Sequence, residues 1–260
     1  MKHLLAFCLL LVAMSSASAE PSGVRLAYAD IESFPNQLGG STDIPASPGI
    51  AVEILQESFA EAGIPLNLMR LPNRRVIEAL KMGEIDGAFL FSYSPERNRF
   101  AAYPLKDGML DPSRRLTRLT YMLYKRADNP LTFDGREVGN LRTAIIANSG
   151  FSVAADLRKM DLPVVEVETT PLAFGMLQAG RADGYAIIDS TADAYLRGST
   201  IRDIVKLPIP ISSKDYFLIF GRRFQTANPA LVESIWNRVA ATRAARQAEL
   251  DRKYLGSPPS

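Results

Sequence analysis

The 260-residue chain nearly lacks the side chains that carry most nucleophilic and metal chemistry: it has one cysteine, one histidine and one tryptophan. The cysteine is Cys8 and the histidine is His3, and both sit in an N-terminus of distinctive composition. Lys2 gives a positive start, Leu4 to Met14 form an apolar run, and Ala17-Ser18-Ala19 is an A-x-A cleavage pattern. Together they read as a secretory signal peptide over residues 1–19. The run is shorter than the roughly 20 residues a helix needs to span a bilayer. A chain cut after Ala19 retains neither Cys nor His. That excludes a disulfide, a thiolate or imidazole nucleophile, a thiolate metal site and Ser-His-Asp hydrolysis. An exported chain without disulfides must rest on an ordinary apolar core, and this one is long enough to bury one or two.

An excess of charge of one sign is missing too. The formal net charge of +2 falls to +1 once Lys2 is removed, leaving 29 basic against 28 acidic residues. Near-neutrality gives no reason to expect a nucleic acid or membrane-surface partner. The hydrophobic content of 47% is that of a globular protein, and no later segment is long and apolar enough to span a membrane.

What is present is a repeated punctuation. Leu80, Gly83, Asp86 and Gly87 share the spacing L-x-x-G-x-x-D-G with Leu177, Gly180, Asp183 and Gly184, and each copy precedes an apolar run. Each copy reads as a helix ending on Gly, an Asp-Gly turn and a buried strand. Around the first copy, "VRLAYAD", "PLNLMRL" and "DGAFLFS" read as strands. "GIAVEILQESFAEAG" and "RRVIEALKMG" lie between them as helices, the former with Ile50, Ile54, Leu55, Ser58 and Phe59 on one face. Around the second copy, "LRTAIIA", "PVVEVE" and "DGYAIID" alternate with "SVAADLRKM" and "PLAFGMLQAG" in the same grammar. This is the βαβ order of a parallel sheet with helices on its faces, written twice. "LTYMLYKR" and "YFLIFGRR" read as strands where the chain crosses between the lobes. The tail from Asn228-Pro229 reads as a long amphipathic helix burying Leu231, Ile235, Trp236 and Val239.

With the signal, the two βαβ lobes, "GEIDGAFLFSYSPERNRFAAYP" and "GRADGYAIIDS", the chain resembles the periplasmic solute-binding proteins of family 3, the polar amino acid type. The likeness covers nearly the whole mature chain. It implies an α/β fold of the two-lobed type II, or Venus-flytrap, kind, with ligand held in the cleft. Lobe one would then comprise residues 20–118 plus 214–260, and lobe two residues 119–213. The resemblance places the carboxylate-binding arginine on Arg97, its neighbouring serine on Ser92, and the anion-receiving loop on "NSGFS" with Ser149, Gly150 and Ser152. It puts the acid for a ligand amino group near Asp189, and the aromatic wall between Tyr28 and Phe34. The chain departs from the family pattern at Phe151, where a hydroxyl residue usually follows the glycine. It departs again at Asp189, one residue later than the common spacing, and in the long connection bearing Arg114, Arg115 and Arg118.

Each of these residues also has a plainer reading. Ser94-Pro95-Glu96 is a good helix start, which makes Arg97 a surface residue of a short helix. Asp189 can cap the helix that follows it, and Ser149-Gly150 can be a simple turn. Tyr28 and Phe34 can be core, and the three arginines a solvated hinge flank. Asp86 and Asp183 resemble an acid–base pair but stand in turns at the sheet end away from the cleft. The expectation is a monomeric binder with no catalytic residue, metal or cofactor. It captures a small polar, carboxylate-bearing ligand such as an amino acid and delivers it to an ABC permease or a membrane sensor. The alternative is a periplasmic enzyme on the same fold, of the cyclohexadienyl dehydratase type.

Overall fold

The computed structural model describes residues 23–256, so the signal-peptide expectation lies outside the described residues. Strands β1 (Val24–Ala29), β2 (Leu66–Leu71) and β3 (Gly87–Ser92) alternate with helices α1 (Ile50–Glu61) and α2 (Asn73–Met82). β1 pairs in parallel with β2 from Val24–Leu66 to Ala29–Leu71, and with β3 at Leu26–Gly87 and Ala27–Ala88. Chain reversal after α2 falls on Gly83, at φ 74°, where a residue without Cβ meets no steric penalty.

After β4 (Thr117–Arg126) the second lobe repeats the arrangement with β5 (Ile145–Asn148), α3 (Ser152–Lys159), β6 (Val164–Val167), α4 (Thr170–Gln178) and β7 (Gly184–Ile188). β5 lies parallel to both β6 and β7. Helix α5 (Asp189–Gly198), the short β8 (Ile204–Lys206), β9 (Ser212–Gly221), α6 (Arg222–Ala227) and the long α7 (Pro229–Leu255) complete the chain.

β4 and β9 join the halves. Their first portions pair antiparallel, from Ser212–Tyr121 to Tyr216–Thr117. β4 then continues along β7, and β9 continues along β3. The result is one hydrogen-bonded path, β6-β5-β7-β4-β9-β3-β1-β2. Where β9 follows β3 the register slips between Phe217 and Leu218, leaving Leu90 unpaired at φ 61°. That bulge turns the strand just before Phe91 and Ser92.

Separate cores sit on either side of the crossing. Leu26, Tyr28, Ile54, Phe59 and Trp236 belong to one cluster, while Ala27, Val76, Leu80 and Phe217 cover the other face of the same strands. Leu123, Ile145 and Leu157, with Tyr124, Phe174 and Tyr185, do the same for the second half. Trp236 is anchored against β9 by an Nε1–H bond of 2.8 Å to the Leu218 carbonyl. The long connection after β3 contains a hairpin with a two-residue loop. Leu105–Lys106 pairs with Met109–Leu110 around Asp107 and Gly108, both at positive φ as a type I′ turn requires.

Candidate functional site

The ends of β3, β5 and β7 and the crossing strands converge on a cleft, where loops from both halves meet. Asn73, the first residue of α2, donates from Nδ2 to the Gly150 carbonyl at 2.8 Å. On the other side, Ser190 Oγ donates to the Phe34 carbonyl at 2.6 Å, with Thr191 Oγ1 at 3.4 Å from the same oxygen. Gly150 has φ 73°, and a Cβ there would stand 2.3 Å from Asn73 Nδ2. A side chain there would strain the backbone and push the Asn73 amide aside, so the contact favours glycine.

Between these contacts lies a small cavity of about 50 Å³. A water-sized group needs about 10–15 Å³, so the space suits a small polar head and not a whole ligand. Phe89, Phe91, Phe151, Tyr121 and Tyr216 wall it, and Arg97 is its one charged lining residue. Arg97 opens a 3₁₀ turn, and its backbone N–H bonds Ser94 Oγ at 3.2 Å. Its Nη1 donates to the Ser92 carbonyl and to Tyr103 Oη at 3.2 Å, and the guanidinium lies 4.9 Å over the Phe91 ring. Among the described residues no carboxylate comes within 4.0 Å of it. A fork held at one nitrogen, half-buried and free of a protein carboxylate, is suited to an anionic ligand.

Opposite Arg97 a hydrogen-bonded chain crosses from the joining strands β4 and β9 to the second lobe. Tyr121 Oη lies 2.8 Å from Tyr216 Oη, which lies 2.9 Å from Ser152 Oγ. Lys214 donates to Ser152 Oγ at 3.3 Å and pairs with Asp156. Burial pushes both tyrosine pKa values up; at Tyr216 the bonds from Ser152, Tyr121 and Ser92 oppose this without cancelling it. These phenols stay neutral and can donate or accept, but neither is poised as a base near neutral pH.

On the far side of Asn73, which lines both spaces, lies a larger chamber of about 770 Å³. Asp30, Glu32, Arg74, Ser149, Glu168 and Tyr195 are among its walls.

Of the sequence-derived site residues, Arg97, Ser92, Gly150 and Ser152 line the small cavity and Ser149 lines the large one. Ser149 Oγ donates to Glu168 at 2.8 Å, and Gly150 N–H donates to Glu166 at 2.9 Å. Asp189 lines neither. The strand ends at Ile188 and the helix begins at once, so the Asp189 carboxylate accepts the Ser190 N–H at 2.7 Å. Tyr28 is fully buried in the first-lobe core, 4.6 Å from Phe89, with Arg70 over its ring at 5.2 Å. Phe34 contributes its carbonyl to the Ser190 contact and its ring to neither cavity.

Asp86 and Asp183 stand away from both spaces. Asp86 pairs with Arg25 at 2.7 Å, and Asp183 accepts from Asn129, from the Arg142 and Thr143 N–H groups and from Thr143 Oγ1. Arg115 and Arg118 each lie 3.6 Å from Asp215, while Arg114 pairs with Asp111 and Glu233. The sequence reading missed Tyr121, Tyr216, Asn73 and Glu168; for the tyrosines, the two crossing strands were the available signal.

No family model matches the chain, and no curated protein matches it either. Solved structures do. The arginine-, lysine-, histidine-binding protein ArtJ from Geobacillus stearothermophilus superposes with a TM-score of 0.70 at 14% identity, covering 92% of this chain and 97% of its own. The GluR0 ligand-binding core from Nostoc punctiforme, in complex with L-glutamate, gives 0.69 at 16% identity, covering 90% and 100%. A mutant of ArgBP from T. maritima gives 0.67 at 20%, covering 90% and 96%. Identities this low speak to architecture, and the chain has the two-lobed α/β fold of these ligand-binding proteins.

Proposed function

We propose that this protein is a periplasmic solute-binding protein of the polar amino acid type. It takes a small polar, carboxylate-bearing ligand into the cleft and presents it to a membrane transporter or sensor. Lobe one comprises residues 20–118 plus 214–260 and lobe two residues 119–213, with β4 and β9 as the hinge. The chain acts as a monomer and carries out no covalent step. The observation that carries the reading is Arg97, a half-buried guanidinium facing the cleft without a protein carboxylate. The contacts of Asn73 with Gly150 and of Ser190 with Phe34 support it, because they hold the halves together over that space. Excluding water there strengthens the few charged contacts a ligand makes. Among the described residues no helix is long and apolar enough to cross a membrane, which is compatible with a soluble carrier.

A thermal-shift screen of amino acids, simple carboxylates and short peptides tests this. A ligand at 100 times its Kd stabilises the folded state by about 2.7 kcal/mol. For a chain of this size that raises Tm by about 5–10 °C. Hits should carry a carboxylate, and their shift should disappear in Arg97→Ala. Hits without a carboxylate, or shifts unchanged in that variant, would sink the reading.

A further inference from the structure

The small cavity has hydrogen-bond donors to spare and no carboxylate. Arg97 is its one charged lining residue, and neither Asp nor Glu is among the residues that wall it. Asp189, the sequence-derived candidate for meeting an amino group, lines neither space and keeps its carboxylate on the Ser190 N–H. Two carbonyls beside the cavity are already engaged. That of Ser92 accepts from Arg97 and from Tyr103 Oη, and that of Gly150 accepts from Asn73. An ammonium drawn into this space would lose its water without gaining a counter-charge, which is strongly unfavourable.

The donors have two sources besides Arg97. Ser33 lines the cavity and is 5% exposed, and its Oγ is buried without a hydrogen-bond partner among the described residues. Backbone bonds alone hold its turn: the Ser33 N–H donates to the Gln37 carbonyl at 3.0 Å, and the Asn36 N–H donates to the Ser33 carbonyl at 2.8 Å. The hydroxyl is thus free for another partner, and a buried hydroxyl left unpaired is costly. The second source is the chain of Tyr121, Tyr216 and Ser152, whose three hydroxyls make two bonds among themselves. One O–H therefore remains to donate outward, whichever way the bonds run, and Lys214, which has only protons to give, uses none of them. We infer that the group beside the ligand's carboxylate is an oxygen and not an ammonium. The head is that of a 2-hydroxy or 2-oxo acid, with its carboxylate on Arg97 and its second oxygen accepting from Ser33 and the tyrosine–serine chain. An oxygen can accept these bonds, and an ammonium cannot. The inference rests on the reading of Arg97 as the carboxylate receptor, and it makes Ser33 a specificity-determining residue.

Calorimetry on the mature full-length chain tests it with two matched series. One is lactate, pyruvate, alanine and propionate; the other sets the same four heads on a larger apolar body, as phenyllactate, phenylpyruvate, phenylalanine and 3-phenylpropionate. Within a series that binds, the better oxygen acid should bind about tenfold or more tighter than the amino acid, and tighter than the parent acid. Ser33 Oγ has no partner within the protein, so Ser33→Ala should fold normally. It should cut the advantage of the oxygen acid over the parent acid at least about threefold. An amino acid that matches or outbinds both oxygen acids overturns the inference, as does an advantage over the parent acid that Ser33→Ala leaves unchanged. In either case binding that still vanishes in Arg97→Ala leaves the carboxylate reading standing, and binding indifferent to that variant removes both. No binding by any member of the two series overturns the inference, and the wider carboxylate screen then decides the reading separately.

Discussion

Asp183 shows how a residue can look catalytic in sequence and be structural in the fold. Burial alone would raise its pKa, but Asn129, two backbone N–H groups and the Thr143 hydroxyl outweigh it and hold the value below the ordinary 3.8. A carboxylate with a depressed folded pKa stabilises fully above its unfolded value, and the contribution fades as pH falls through the folded one. Asp183→Asn should therefore cost about 1.5–3 kcal/mol at pH 7, the range for hydrogen bonds to a charged group. The gap from wild type should narrow below about pH 4, as wild type loses the same contribution. Urea midpoints at pH 7 and pH 3 check this, and a gap that persists unchanged at pH 3 would contradict it. The family resemblance pointed to Arg97 because Ser-Pro-Glu-Arg comes just after a buried strand, and the fold places Arg97 at the small cavity. Asp189 was not legible in this way, since whether its side chain reaches the cleft depends on a helix starting at that very residue.

Among elements, the two loop contacts across the cleft matter most. The start of α2 meets the loop before α3 through Asn73 and Gly150, and the start of α5 meets the loop after β1 through Ser190 and Phe34. Gly150→Ala puts a Cβ against Asn73 and asks a non-glycine residue to hold φ 73°. The backbone cost is about 1–2 kcal/mol. Ligand affinity should fall about tenfold, mostly through faster dissociation, as stopped-flow release would show. Asn73→Ala removes the same bond without backbone strain and should speed release less. If Gly150→Ala binds and releases as wild type does, this contact does not hold the cleft shut. Helix ends such as Gly83 were readable in sequence because a left-handed cap selects glycine locally. The pairing of Tyr121 with Tyr216 was not, since it arises from the register of two strands 95 residues apart.

For the whole molecule, the doubled Gly–Asp-Gly punctuation was enough to read two βαβ units, because hydrophobic periodicity and turn chemistry are local signals. The cleft is a non-local product. Glu168 gains its place opposite Asp30 and Glu32 only when two halves fold and approach, so no spacing in the chain announces it. With His3 outside the described residues and no other histidine in the chain, no side chain there titrates between about pH 5 and 8 at its unperturbed value. Affinity for a carboxylate ligand should accordingly change less than about threefold from pH 5.5 to 8, measured by calorimetry. A tenfold change would show a strongly shifted carboxylate or lysine in the cleft and would favour an enzyme on this fold.

The central claim, that Arg97 reads the ligand's carboxylate, is tested most directly by calorimetry of one screened hit against wild type, Arg97→Ala and Arg97→Lys. Truncating one partner of a buried, hydrogen-bonded charge pair costs about 2–5 kcal/mol. Arg97→Ala should lose that much affinity, and Arg97→Lys should recover only part of it, because an ammonium cannot supply two parallel bonds. Wild-type affinity in Arg97→Ala would contradict the account and return Arg97 to the role of a surface residue at the start of a short helix.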